Sequence, residues 1–188
     1  MSAFRRESAF AFVELLVVML IVVVLYSVVV APTTSCLRAQ KLTRCAENMR
    51  KLHLALTLYA NENDGAFPAV AGAKSSTQPL SLLVPKYTSD AALIACPEAK
   101  SGFGYAYISG LKKDADRRQM LISDAQVNTS PKSKDAPLFS TDGTGSNHGG
   151  NHGGSGGNVL FVDGHVETMG VSATFDLILP PNAVLLNP

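Results

Sequence analysis

The feature that most limits what this chain can become is the run from Phe10 to Ala31, FAFVELLVVMLIVVVLYSVVVA, in which only Glu14 and Ser27 are not hydrophobic. Wound as a helix at 1.5 Å per residue, it is about 33 Å long, enough to cross a bilayer core, and the sequence therefore predicts a transmembrane helix. A cleaved secretory signal is the rival reading, because Arg5 and Arg6 form a basic flank. The apolar stretch is longer than such signals use, and its small-residue site, Val29-Val30-Ala31, is followed by Pro32. Arg5 and Arg6 on one side and Arg38, Lys41 and Arg44 on the other leave the orientation open. Glu14 is the exception inside the run. A carboxylate at the bilayer centre costs about 2.5 to 3.5 kcal/mol, so Glu14 either marks a pairing site or reaches back to the headgroups.

Outside that run the chain is ordinary. With 188 residues, 46% hydrophobic and 16% charged overall, the remainder has room for one domain with one core, which excludes a multidomain enzyme. Sixteen basic against 15 acidic residues give no broad nucleic-acid-binding face.

Pro32 is expected to bend or break the helix. Beyond it Leu42, Cys45, Met49, Leu52, Leu56 and Tyr59 recur at alternating spacings of three and four, one apolar stripe of an amphipathic helix that packs on a core. Arg38, Lys41, Arg44, Arg50 and Lys51 line its other sides, and His53 falls off the stripe as a surface residue. Asn61 to Gly65 ends the helix, with Gly65 suited to a left-handed stop and Pro68 beyond. Further on, residues 80–84 read as a short helix and 103–110 as a strand, with weaker strands at 120–123 and 137–140. The clearest element is a hairpin, 158–162 and 165–169 about Asp163-Gly164. A two-residue turn there places Phe161 opposite Val166.

Between Asp142 and Asn158 lies a glycine-rich segment with little to bury and no phosphate-loop signature. His148, His152 and His165 fall in or near it, with Asp142, Asp163 and Glu167. Imidazoles with carboxylates suit a transition metal, and carboxylates with loop carbonyls suit calcium. Equally, Asp163 is simply a turn residue and the histidines polar loop positions. Of three cysteines, Cys36 and Cys45 lie about 13 Å apart along a helix, too far to bridge. Cys45, on the buried stripe, and Cys96, at the end of an apolar run, are the plausible pair; three reduced thiols are the alternative.

Ser8 to Val18, SAFAFVELLVV, resembles the class III signal of type IV pilins and type II secretion pseudopilins, in which a small residue precedes the cut, Phe follows, and Glu is fifth in the mature chain. Here the small residue is Ala9, where the family has Gly. The helix-bending proline comes one place late, at Pro32. Residues 45–68, ending in Tyr59, Asn61, Gly65 and Phe67-Pro68, resemble the pseudopilin pattern too. Asn151 to Val166 resembles the C-terminal His, nine residues, Asp-Gly motif of prepilin-processed proteins in planctomycetes and verrucomicrobia, although ten residues separate His152 from Asp163 here.

The resemblance implies an α+β pilin-like fold, a long N-terminal helix with a transmembrane half and an amphipathic half packed on a small antiparallel β-sheet. It divides the chain into a leader over 1–9, a transmembrane and assembly helix over 10–31, and a periplasmic domain over 32–188, helical to about residue 62. It implies cleavage after Ala9 by prepilin peptidase, N-methylation of Phe10, and neutralisation of the new amine by Glu14 of a neighbouring subunit. The expected protein is not an enzyme. It is a pseudopilus or pilus-like subunit for protein secretion, single-pass in a bacterial inner membrane, whose partners are its own copies, the inner-membrane assembly platform and minor pseudopilins, with no nucleic acid. Because major pseudopilins carry a C-terminal calcium site, the resemblance also makes Asp142 and Asp163 its suspected ligands. The alternative is a membrane-anchored metal-binding protein or hydrolase using His148, His152, Asp163 and His165.

Overall fold

The computed structural model describes residues 4–30, 33–97, 104–126, 129–130, 136–139, 151–152, 155–171 and 173–188, and among these the side chains of 4–11, 29–30, 33–36 and 38 are not described. The chain forms two compact units, Met1–Ala39 and Gln40–Pro188.

In the first unit, helix α1 spans Phe4–Val30. Its large apolar side chains from Phe12 to Val28 are exposed, Val17 least at 45% and Tyr26 most at 69%. Helix α2, Thr33–Glu62, begins in the first unit and carries into the second. Cys45, Met49, Leu52 and Leu56 are fully buried along it, with Ala46, Ala55 and Ala60 widening the stripe. The helix stops where Asp64 and Gly65 both turn to positive φ and the Gly65 amide returns to the Ala60 carbonyl at 2.8 Å.

Two expectations are corrected here. The expected fold, one long N-terminal helix whose transmembrane half runs into an amphipathic half on the sheet, is not the one observed: α1 ends at Val30, a new helix starts at Thr33, and the chain separates into two units. Pro32, expected to bend or break the helix, lies outside the described residues. The second correction concerns location. Among the described residues no helix is long and apolar enough to cross a membrane, which removes the support for a single-pass inner-membrane protein with a periplasmic domain.

After α2 come α3, Thr77–Ser81, and a single 3-10 turn, Ala91–Ile94, headed by the Asp90 carboxylate accepting from the Ala92 amide at 2.9 Å. A five-stranded antiparallel sheet follows: β1 Tyr105–Ser109, β2 Met120–Asp124, β3 Gly157–Phe161, β4 Val166–Met169 and β5 Val184–Leu186, in the order β4-β3-β2-β1-β5. β1, β2 and β3 are buried throughout, hence covered on both faces. Asn158 reaches the Leu42 carbonyl of α2 at 3.0 Å on one face, and the Phe139 ring sits against Gly157. The segment 137–140 is read as a weak strand; its described residues, 137–139, form an isolated bridge between Pro137 and Thr174 and no strand.

The hairpin differs from its expected register. Leu160, not Phe161, pairs with Val166, and Val159 pairs with Glu167. The loop therefore holds three residues, Val162, Asp163 and Gly164, with Gly164 at φ +91° and its amide on the Phe161 carbonyl at 3.0 Å. This is the three-residue hairpin in which a glycine adopts the left-handed conformation, an arrangement that Asp-Gly serves as readily as the two-residue turn. A shift of one residue exchanges the faces, and so Phe161 stacks on His165, ring centroids 4.1 Å apart and ring planes nearly parallel. His53 is not a free surface residue; its ring pairs with the Val162 carbonyl at 3.0 Å and holds the loop to α2.

Candidate metal centre

The sheet places one acid where none is expected. Asp124 closes β2, opposite Tyr105 at the start of β1, and its side chain is fully buried. Burying a carboxylate is costly unless its oxygens are satisfied, and here they are. Oδ2 accepts the Asn158 amide at 2.7 Å, and Oδ1 accepts Nδ2 of Asn151 at 2.9 Å. Asn158 is fixed in turn by donating to Leu42 and by accepting the Thr168 hydroxyl from β4 at 2.7 Å. Asn151 also donates to the Gly104 carbonyl. Gly104 itself has no space for a β-carbon, which would overlap the backbone of Cys96.

Three further groups converge on this carboxylate. Cys45 arrives on the buried stripe of α2 and Cys96 follows the 3-10 turn; they are joined as a disulfide with Cα atoms 5.8 Å apart. His152, its side chain only 3% exposed, directs Nε2 at Asp124 Oδ2, 3.4 Å away, and at Cys96 Sγ, 3.7 Å away. One ligand atom from each of Cys45, Cys96, Asp124 and His152 lies within 4.8 Å of the others, so the cluster could hold a metal, with the two sulfurs at present bonded to each other. Sulfur, imidazole and one carboxylate suit a borderline-soft cation such as zinc far better than calcium, which takes oxygen.

Tyr105 borders the cluster. Burial, and next the Asp124 carboxylate, push its phenol well above the ordinary value, against a smaller opposing effect of the Asn48 side chain. Its hydroxyl is buried without a partner in good hydrogen-bonding geometry among the described residues.

Other residues singled out from sequence are placed differently. Asp163 sits in the hairpin loop, where the backbone amide of His165 first, then its ring at 2.5 Å, hold the carboxyl below the usual range. It does not meet His152: no metal-ligand group among the described residues contains both. Asp142 and His148 lie outside the described residues, as does the side chain of Cys36. Ala9 and Phe10 fall within α1, their side chains undescribed, and Glu14 is exposed on it. A groove of about 420 Å³ beside the hairpin is lined by Arg118, Phe161, His165, Glu167 and Phe175. Sequence reasoning found the cysteines and His152 but missed Asp124, whose only signal is an acid ending an apolar strand run.

No family model, curated protein or solved structure matches this chain. The likeness to pilins thus rests on the motif residues alone.

Proposed function

We propose that this chain is a structural subunit that polymerises through α1 after removal of residues 1–9, and that it acts by assembly, as pilin-like proteins do, and not by catalysis. The observation that carries this reading is the exposure of every large apolar side chain from Phe12 to Val28. A continuous apolar surface of that extent is unfavourable in water and marks an interface. The α1 helices of other copies are its natural cover, since each offers the same surface. Glu14 supports a homomeric occupant: it is the single charge in the run, and cleavage after Ala9 would create one amine per subunit, on Phe10, to pair with it. An uncompensated charge in an apolar interface is costly, so pairing fixes both register and stoichiometry.

The test is assembly of the processed chain. Mass spectrometry should show a mature terminus at methylated Phe10, and electron microscopy should show filaments that Glu14→Ala abolishes. Filaments formed in normal yield by Glu14→Ala, or a mature chain still carrying Met1, would overturn the proposal.

A further inference from the structure

We propose that Cys45, Cys96, Asp124 and His152 form a redox-gated zinc site, closed while the disulfide is intact and open to one Zn²⁺ when it is reduced. Its geometry is nearly in place. Ligand atoms about 2.0 to 2.3 Å from a tetrahedral zinc lie about 3.3 to 3.8 Å from one another. His152 Nε2 already stands 3.4 Å from Asp124 Oδ2 and 3.7 Å from Cys96 Sγ, and all four ligand atoms lie within 4.8 Å of one another. The fourth, Cys45 Sγ, has only to part from Cys96 Sγ by a side-chain rotation on a rigid helix.

The surroundings are those of a site more than of a structural crosslink alone. Asn158 and Asn151 orient the Asp124 carboxylate, as outer partners orient metal ligands; Cys45, Cys96 and Asp124 are buried, and the His152 side chain is 3% exposed. A disulfide needs neither a buried carboxylate nor a histidine aimed at its sulfur. Zinc needs both.

The chemistry balances. A dithiol reductant transfers two electrons and two protons to the Cys45–Cys96 bond, leaving two thiols and a reductant oxidised to its own disulfide. Zn²⁺ then displaces the two thiol protons to solvent and binds two thiolates, the carboxylate and the imidazole.

The experiment uses the full chain, reduced with a phosphine and titrated with Co²⁺ as the spectroscopic probe. The reduced protein should take up one Co²⁺ per chain, with the charge-transfer absorption of thiolate ligation and a tetrahedral ligand-field band, both lost on adding Zn²⁺. Oxidised protein should show neither. His152→Ala and Asp124→Asn, checked for folding by circular dichroism, should each weaken uptake by at least about tenfold. If reduction unfolds the chain, the metal should restore the folded spectrum. The proposal is overturned by reduced protein that binds no Co²⁺, by equal uptake in the oxidised form, by unchanged affinity in His152→Ala, or by reduced, unfolded chain that Co²⁺ does not refold.

Discussion

Asp124 shows how much one residue organises. Its carboxylate gathers the Asn158 backbone amide, the Asn151 side chain and His152, which lie 27 to 34 residues further along the chain. Asp124→Ala leaves those buried donors without an acceptor and should lower stability by about 2 to 4 kcal/mol, measured as a fall in the urea midpoint without a change in slope. Tyr105 gives a pH signature. Its phenol, held above the ordinary value by burial and by Asp124, keeps its proton in the folded state at a pH where the unfolded chain has lost it. This contribution is complete below about pH 10 and is lost progressively as pH rises above that. Chemical denaturation from pH 8 to 11 should therefore show falling stability at the alkaline end. Tyr105→Phe should flatten that fall, because it removes the phenol that titrates.

At the level of elements, the hairpin is governed by its loop. Gly164 holds φ +91°, and a β-carbon there would also press on the His53 ring. Gly164→Ala should cost about 1 kcal/mol or more in thermal unfolding, and His53→Ala should remove part of that penalty by clearing the clash. The helix stripe and the hairpin were legible in sequence because each is a local periodicity: apolar spacings of three and four through Cys45, Met49, Leu52 and Leu56, and two alternating runs about Asp163-Gly164. The register of that hairpin was not. Asp-Gly fits both a two-residue and a three-residue loop, and the choice fell to His53, reaching Val162 from α2 across the fold.

For the molecule as a whole, the Cys45–Cys96 disulfide ties α2 to the segment before β1, closing a loop of 51 residues. The chain-entropy account assigns such a loop about 4 kcal/mol. Replacing both cysteines with alanine should lower the stability of the second unit by roughly that amount, read from guanidinium unfolding, and leave α1 unaffected because it lies in the other unit. At this scale the N-terminal run acquires its meaning too. Taken alone, the apolar stretch reads as a bilayer anchor; in the structure it lies in α1, and among the described residues no helix is long and apolar enough to cross a membrane. Its exposed apolar surface is the one proposed above to be covered by other copies of the chain.

By itself the sequence determined the properties that depend on near neighbours: where apolar residues recur, where helices stop, which Asp-Gly turns the chain. Tertiary structure decided the rest. It set the hairpin one residue off its expected register and brought Asp124 and His152 to the disulfide. The physical reason is that these outcomes depend on groups separated by tens of residues. Their meeting is fixed by how α2 and the loops cover the two faces of the sheet, and no local pattern encodes a distance across a core.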